Sequence, residues 1–373
     1  MLLALMFLPT NPALALGGWQ SIPWLGIVPP LLPPEARTRI AAEKQLLLAH
    51  KGYLENRLQQ AQPLIRLIGQ EVDKRRLPAL LILLPVIESG YRLDVVSPKG
   101  AAGVWQLMPA TATRYGVPQT TSYDGRLSLP IATHAALTYL SDLSKQFNGD
   151  WLLALAAYNC GENRVKGALQ DAQQASYWQL PLPDETKRYV PRLLALAELI
   201  QSAERHGLNL PAWQEGDELV AREYTGPLWL SDLAHRGNWP LARLELLNPA
   251  FRKAWLPAGM SYTLLLPRDQ AKRLDKKPPR PVKPGIDTTP IPALLPLQSL
   301  SDPLLISHVA PLYGDGEGVD LSPRAVMPNK GDVLDSGARA PVGLEARPLL
   351  LPIGKQPTTE MIRKPAGKAG HSG

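Results

Sequence analysis

Cysteine is nearly absent from this chain. Cys160 alone occurs in 373 residues, so no disulfide forms within the chain and no cysteine cluster holds a metal. Regular polar–apolar alternation is scarce up to about residue 210, which argues against a sheet there. Charge is missing from Met1 to Leu16, MLLALMFLPTNPALAL. That stretch is too short and too broken by proline to span a membrane. It lacks the basic residues that usually open an export signal, yet Ala13-Leu14-Ala15 has the small-x-small form of a signal-peptidase site. It reads as a trimmed signal or the end of one starting upstream; an N-terminal strand or tail is the alternative. No cysteine lies near it, so no lipid attachment site is expected. Nucleic-acid motifs are missing too, and aromatic residues are not interleaved with a basic stripe, so no nucleic-acid partner is expected. The formal net charge of +7 then suits an anionic polymer or membrane surface.

What is present can build a core. Hydrophobic residues make up 45% and charged residues 20% of the chain, within the range of globular domains. The length suits two or three domains. Residues 1–34 read as the signal-like segment and a Pro-, Trp- and Gly-rich linker. Glu35 to Gln62 carries Ile40, Leu46, Leu47, Leu54 and Leu58 at helical spacing and reads as an amphipathic helix. Pro63 to Arg76 reads as a second helix. Leu77 to Ile87 is almost wholly apolar and reads as a buried helix opened by Pro78, with Pro85 kinking or ending its last turn. Helical patterns follow at Pro109–Tyr115, Pro130–Phe147, Trp151–Asn159 and Glu185–His206. The expected class is mainly α.

The apolar run from Leu77 ends on Glu88. A carboxylate there is costly unless it is paired, reached by solvent in a cleft, or kept protonated. A protonated carboxyl is what a general acid needs near neutral pH. A plain cap or ion pair at the mouth of a core helix is the alternative. Ser97-Pro98-Lys99-Gly100-Ala101-Ala102-Gly103 then forms a small-residue loop whose glycines let backbone approach a ligand. Ser97 and Gln106 bring polar atoms, Trp105 and Met108 apolar surface. Sugars are held by that mixture. Asp94, Asp124, Glu162 and Glu185 are the candidates for a second carboxylate. Asp94 reads as a solvated loop aspartate.

Glu88-Ser89, the Ser97–Gly103 loop and Gly103-Val104-Trp105-Gln106-Leu107-Met108-Pro109 resemble the first motifs of the soluble-type (family 1) lytic transglycosylases. Ala156-Ala157-Tyr158-Asn159-Cys160-Gly161 and Glu185-Thr186-Lys187-Arg188-Tyr189-Val190 resemble the later ones, in the family's order. The likeness covers Leu77 to Ala203. It implies a lysozyme-like domain over residues 35–210, leading helices included. It also implies cleavage of peptidoglycan strands between N-acetylmuramic acid and N-acetylglucosamine, with a 1,6-anhydromuramoyl end as product. No cofactor or metal is implied. Glu88 would be the catalytic acid and base. Ser97, Gln106, Met108, Tyr158, Asn159 and Glu185 would hold the glycan, and Tyr189 would orient Glu88 or steady developing charge. Val104 stands where the family usually has leucine before its Met-Gln or Trp-Gln pair. Cys160 occupies a small-residue position and reads as packed, not nucleophilic. The resemblance further implies a monomer, exported to the periplasm or cell envelope. Two rival readings are a hydrolytic muramidase of the goose-lysozyme type and a wall-binding protein that has lost catalysis.

Residues 217–267 read as strand, two short helices and strand: Leu219–Tyr224, Ser231–Gly237 with Ser231 as N-cap, Leu241–Leu247, and Ser261–Leu266. This unit resembles a LysM module, which binds N-acetylglucosamine polymers. Gly226-Pro227-Leu228-Trp229 replaces the usual Gly-Asp-Thr-Leu start, and glycan binding and a structural role both stand open. Residues 268–373 are Pro-rich, with a basic run from Lys272 to Lys283 that would suit anionic wall polymer or lipid headgroups. Such a composition is expected to stay disordered.

Overall fold

The computed structural model describes residues 31–172, 176–212 and 218–276 apart from 257 and 260, together with 19, 22–24 and 26–27. The signal-like reading of the first residues and the expected disorder after 276 lie outside them. The described chain is mainly α, as expected from its periodicity. Two antiparallel strand pairs near its end are the exception.

Helix α1 (Pro34–Ala49) and helix α2 (Lys51–Lys74) open the domain. The sequence places their boundary at Pro63; the structure places it at His50, and Pro63 lies inside α2. A mid-helix proline costs roughly 3 kcal/mol. Leu54, Leu58, Ala61, Ile65, Ile68 and Val72 are buried at alternating spacings of four and three, and full burial of a Leu or Ile is worth about 1.5–3 kcal/mol. The stripe outweighs the break.

The apolar run after Leu77 is not one helix. Ala79–Leu83 is a 3-10 helix, and α3 (Leu84–Ser89) follows it. Pro85 therefore opens α3 instead of ending it, at a position where a missing N–H is tolerated. Leu80, Leu81, Ile82, Leu83 and Leu84 are all buried. Gly90 ends α3 with a left-handed φ of 60°, a conformation that suits glycine.

After α4 (Pro109–Arg114) and α5 (Leu129–Gln146) comes α6 (Trp151–Cys160), whose residues Leu152 to Ala157 are all buried. A helix apolar on every side belongs in the centre of a domain. Asp150 caps it, accepting from the N–H groups of Leu152 and Leu153 at 2.9 and 3.1 Å. Helix α7 (Glu162–Asp171) has no counterpart in the sequence reading. Helix α8 (Asp184–Gln201) packs along α1, where buried Glu43 accepts from Arg188 and Arg192 at 2.7 Å each.

The chain then forms β1 (Leu219–Thr225), β2 (Leu228–Trp229), α9 (Leu230–Gly237), α10 (Leu241–Leu247), β3 (Trp255–Leu256) and β4 (Ser261–Pro267). Strand β1 pairs antiparallel with β4, from Leu219 opposite Pro267 to Thr225 opposite Ser261. Strand β2 pairs with β3. Trp229, not Ser231, is the N-cap of α9. Asn248 fixes the centre by bonding Leu265 in both directions, at 2.7 and 2.9 Å. Helix α11 (Arg268–Lys276) corrects the expectation that the tail begins at Arg268. Ala271 and Leu274 are buried with the unit's other apolar residues, which is what orders this charged stretch.

Candidate active site

Glu88 lies in the last turn of α3 and is half-buried. The turn that carries it is held from both sides. The Arg57 guanidinium, from α2, donates to the Gly90 carbonyl through Nε at 2.8 Å and Nη2 at 2.5 Å. The buried Tyr91 hydroxyl donates to the Ile82 carbonyl at 2.6 Å. Tyr189, from α8, donates its hydroxyl to Glu88 Oε1. Burial pushes the Glu88 carboxyl up to about 7. The Tyr189 bond pulls it down, and the negative charge of Glu185 adds to the rise. Near neutrality this carboxyl exchanges readily between acid and base forms.

The facing side is built where α6 ends and α8 begins. Asn159 bridges them: its Oδ1 accepts from Thr186 Oγ1 at 2.7 Å, and its Nδ2 donates to Glu185 Oε1 at 3.3 Å. The Tyr158 hydroxyl reaches across to the Trp105 carbonyl at 2.7 Å. Trp105 is fully buried, its Nε1 donating to Thr133 Oγ1 at 2.9 Å. Ser89, beside Glu88, donates to the Val104 carbonyl at 3.0 Å. The loop over residues 97–107 is thus tied both to the turn that carries Glu88 and to the end of α6.

The remaining site candidates belong to that loop. Gln106 has a φ of 46° and donates Nε2 to the Gly103 carbonyl at 2.8 Å. Met108 is 44% exposed. The Ser97 hydroxyl accepts from the Ala101 N–H at 3.0 Å and so closes the loop's own turn. Among the described bonds none joins Ser97 to Glu88. Glu88, Tyr189, Glu185, Asn159 and Tyr158 are therefore joined through direct bonds, Glu88's charge coupling, or the loop; Ser97 and Met108 stand within or beside the loop.

Three other candidate carboxylates each meet a cation. Exposed Asp94 lies 3.7 Å from Arg92. Asp124 is paired with Arg126 at 2.8 Å. Glu162 accepts from Arg114 at 2.6 Å and from the Tyr139 hydroxyl at 3.0 Å. Burial alone would raise the Glu162 carboxyl, but its own N–H, Arg114 and Tyr139 hold it below the usual range. Burial pushes the Cys160 thiol up, away from the thiolate a nucleophile needs. Among the described residues no cluster of His, Cys, Asp and Glu could hold a metal ion.

The sequence reading missed Arg57, Ser89 and Thr186. Ser89 and Thr186 lie inside the quoted motifs and were within reach. Arg57 was not, because its contact with Gly90 spans 33 positions and engages only a carbonyl.

Residues 67–181 match the family model described as the transglycosylase SLT domain. Over that stretch the chain is similar to transglycosylase SLT domains. It is 36% identical over 240 residues to membrane-bound lytic murein transglycosylase D of Escherichia coli K12, covering 63% of this chain and 53% of that protein. The chain thus spans about half the length of that relative. It is 32% identical over 116 residues to the soluble lytic murein transglycosylase of the same organism, covering 29% of this chain and 18% of that one. Among solved structures, the 70 kDa soluble lytic transglycosylase of Escherichia coli aligns at 22% identity and a TM-score of 0.34, covering 50% of this chain and 33% of that one. That agreement is too loose to build on. The SLT domain match includes Glu88, the 97–107 loop, Tyr158 and Asn159; Glu185 and Tyr189 lie beyond its last residue, on α8.

Proposed function

We propose that this chain is a peptidoglycan lytic transglycosylase with Glu88 as its single acid and base. The observation that carries the reading is Glu88 itself: a half-buried carboxyl held near neutrality, met by a phenol and not by a cation. The names of the curated relatives point to murein as the substrate.

Glu88 gives its proton to the glycosidic oxygen as the bond from muramoyl C1 breaks. The muramoyl C6 hydroxyl then attacks C1 of its own ring and returns its proton to the Glu88 carboxylate. No water is consumed. Ordinary glycosidases that hydrolyse use two carboxylates, to activate water or to form a covalent intermediate. Here the nucleophile is already part of the substrate, and intramolecular attack carries a high effective molarity. Tyr189 holds the carboxyl in place and stabilises its ionised form between the two steps. Gln106, Met108, Tyr158, Asn159, Glu185 and Ser97 form the walls that hold the sugars. The substrate lies outside the cytoplasm, so the protein acts in the periplasm or cell envelope as a monomer, and its positive charge favours anionic wall polymer. Among the described residues no helix is long and apolar enough to cross a membrane.

The test is mass spectrometry of fragments released from purified peptidoglycan by the protein and by Glu88→Gln. Ends lighter by one water than reducing ends, absent with Glu88→Gln, are expected. Hydrated reducing ends would show a muramidase instead. Wall binding without any product would show a protein that has lost catalysis.

A further inference from the structure

We propose that the strand–helix–helix–strand unit is a fixed buttress of the 97–107 loop, acting through Arg126 as a positioning residue. The turnover part of this proposal rests on the function proposed above; the structural part does not.

Arg126 is 7% exposed and its partner Asp124 is 2% exposed. Arg126 gives Nε and Nη2 to Asp124 Oδ1 and Oδ2 at 3.0 and 2.8 Å. Its Nη1 is then left to face the loop, donating to the Gly100 carbonyl at 2.6 Å and the Leu107 carbonyl at 3.3 Å. One side chain thus holds the loop at its tip and at its exit. The Arg126 backbone sets the middle: a Cβ at Gly103 would come within 2.0 Å of the Arg126 carbonyl oxygen. Gln106 donates its side-chain amide to that same glycine's carbonyl at 2.8 Å and to the Val95 carbonyl at 3.4 Å.

The other side of this wall belongs to the second unit. The Asp124 N–H donates to the Ala250 carbonyl at 2.9 Å, and the Arg252 N–H donates to the Ser122 carbonyl at 3.0 Å. Arg252 Nη2 lies 3.4 Å from Asp124 Oδ2. Buried Tyr123 packs against Phe251 and Tyr262, with ring centroids 4.9 and 5.1 Å apart. Backbone bonds, an ion pair and an aromatic cluster converge on residues 122–126. A glycan-binding module on a hinge needs none of these. A buttress needs all of them, because a fork is directional only while the carboxylate that aims it stays fixed.

The experiment uses the full chain with Arg252→Ala, Phe251→Ala and Arg126→Lys, none of which alters a group placed in contact with substrate. Three readouts are taken: amide hydrogen exchange, turnover of a soluble wall tetrasaccharide, and co-sedimentation with insoluble peptidoglycan. Exchange at Ala101, Gly103 and Leu107 should quicken by about tenfold while α6 stays protected. The kcat on the tetrasaccharide should fall by about tenfold, since small misplacements of binding groups are costly in rate. The KM and sedimentation should hold. Loop exchange at the parent rate in Arg252→Ala and Arg126→Lys would overturn the proposal. So would lost sedimentation with tetrasaccharide turnover intact, which marks a glycan-binding module. A parent protein that releases no product would sink the proposed function, and the exchange data alone would still decide the buttress.

Discussion

Two carboxyls of one domain, Glu88 half-buried and Asp124 buried, are shifted in opposite directions. Glu88 is pushed up to about 7; Asp124 is held below its ordinary value. Burial raises both, and for both it is the largest single influence. What separates them is the partner. Asp124 receives a forked guanidinium, the Arg126 N–H and the charge of Arg252. Glu88 receives a phenol and faces a second negative charge at Glu185. A buried carboxylate supplied with counter-charge is a structural joint. One denied it is a poised acid.

Removing each carboxyl sharpens the contrast. Glu88→Gln should lower kcat by roughly a thousandfold, the scale of general acid–base catalysis, read from product release on purified peptidoglycan. Asp124→Asn should leave the Arg126 charge buried without its counter-ion, destabilising the fold by about 3 kcal/mol, read as a lower urea midpoint. If Asp124→Asn instead lost activity with the fold unchanged, the joint would have a part in the chemistry.

The stabilities should also run oppositely with pH. The Glu88 folded value of about 7 lies above its ordinary 4.5. Its favourable contribution is therefore complete below 4.5 and is lost as pH rises through 7. Glu88→Gln does not titrate, so its stability should rise against the parent across that window, reaching about 3 kcal/mol at alkaline pH. Asp124 has the reverse sign: its contribution is present above its ordinary 3.8 and is lost as pH falls through its depressed folded value. Denaturation of both variants against pH checks both slopes.

Smaller effects lie at the partners. Tyr189→Phe removes a bond that favours ionised Glu88, so the alkaline limb of the pH–rate profile, where Glu88 loses the proton it must give, should move to higher pH and kcat should fall by about tenfold. Glu185→Gln removes a charge that disfavours ionised Glu88, so the same limb should move slightly downward, with kcat changed by about threefold or less. Shifts in the same direction from both variants would contradict the assigned influences.

Glu88 was legible in the sequence because an apolar run ending on a carboxylate is anomalous. Tyr158, Asn159, Glu185 and Tyr189 were legible only as ordered motifs, and the structure joins them through bonds that no spacing rule gives. Other parts left weak traces. In α7 only Val165 and Ala168 are buried, and in α11 only Ala271 and Leu274, so neither shows a clear stripe. Pro63 reads as a break because the contacts that keep α2 whole come from distant chain. Arg126 was missed for a further reason. It grips main-chain carbonyls, and every residue type offers one, so no residue pattern marks its partners.

The most direct single measurement is a carbon NMR titration of the Glu88 and Asp124 side-chain carboxyls in the intact protein, assigned with Glu88→Gln and Asp124→Asn. The expected result is a Glu88 midpoint near 7 and an Asp124 midpoint below 3.8. A Glu88 midpoint at its ordinary 4.5 would contradict the account, since the carboxyl would then hold no proton to give at neutral pH.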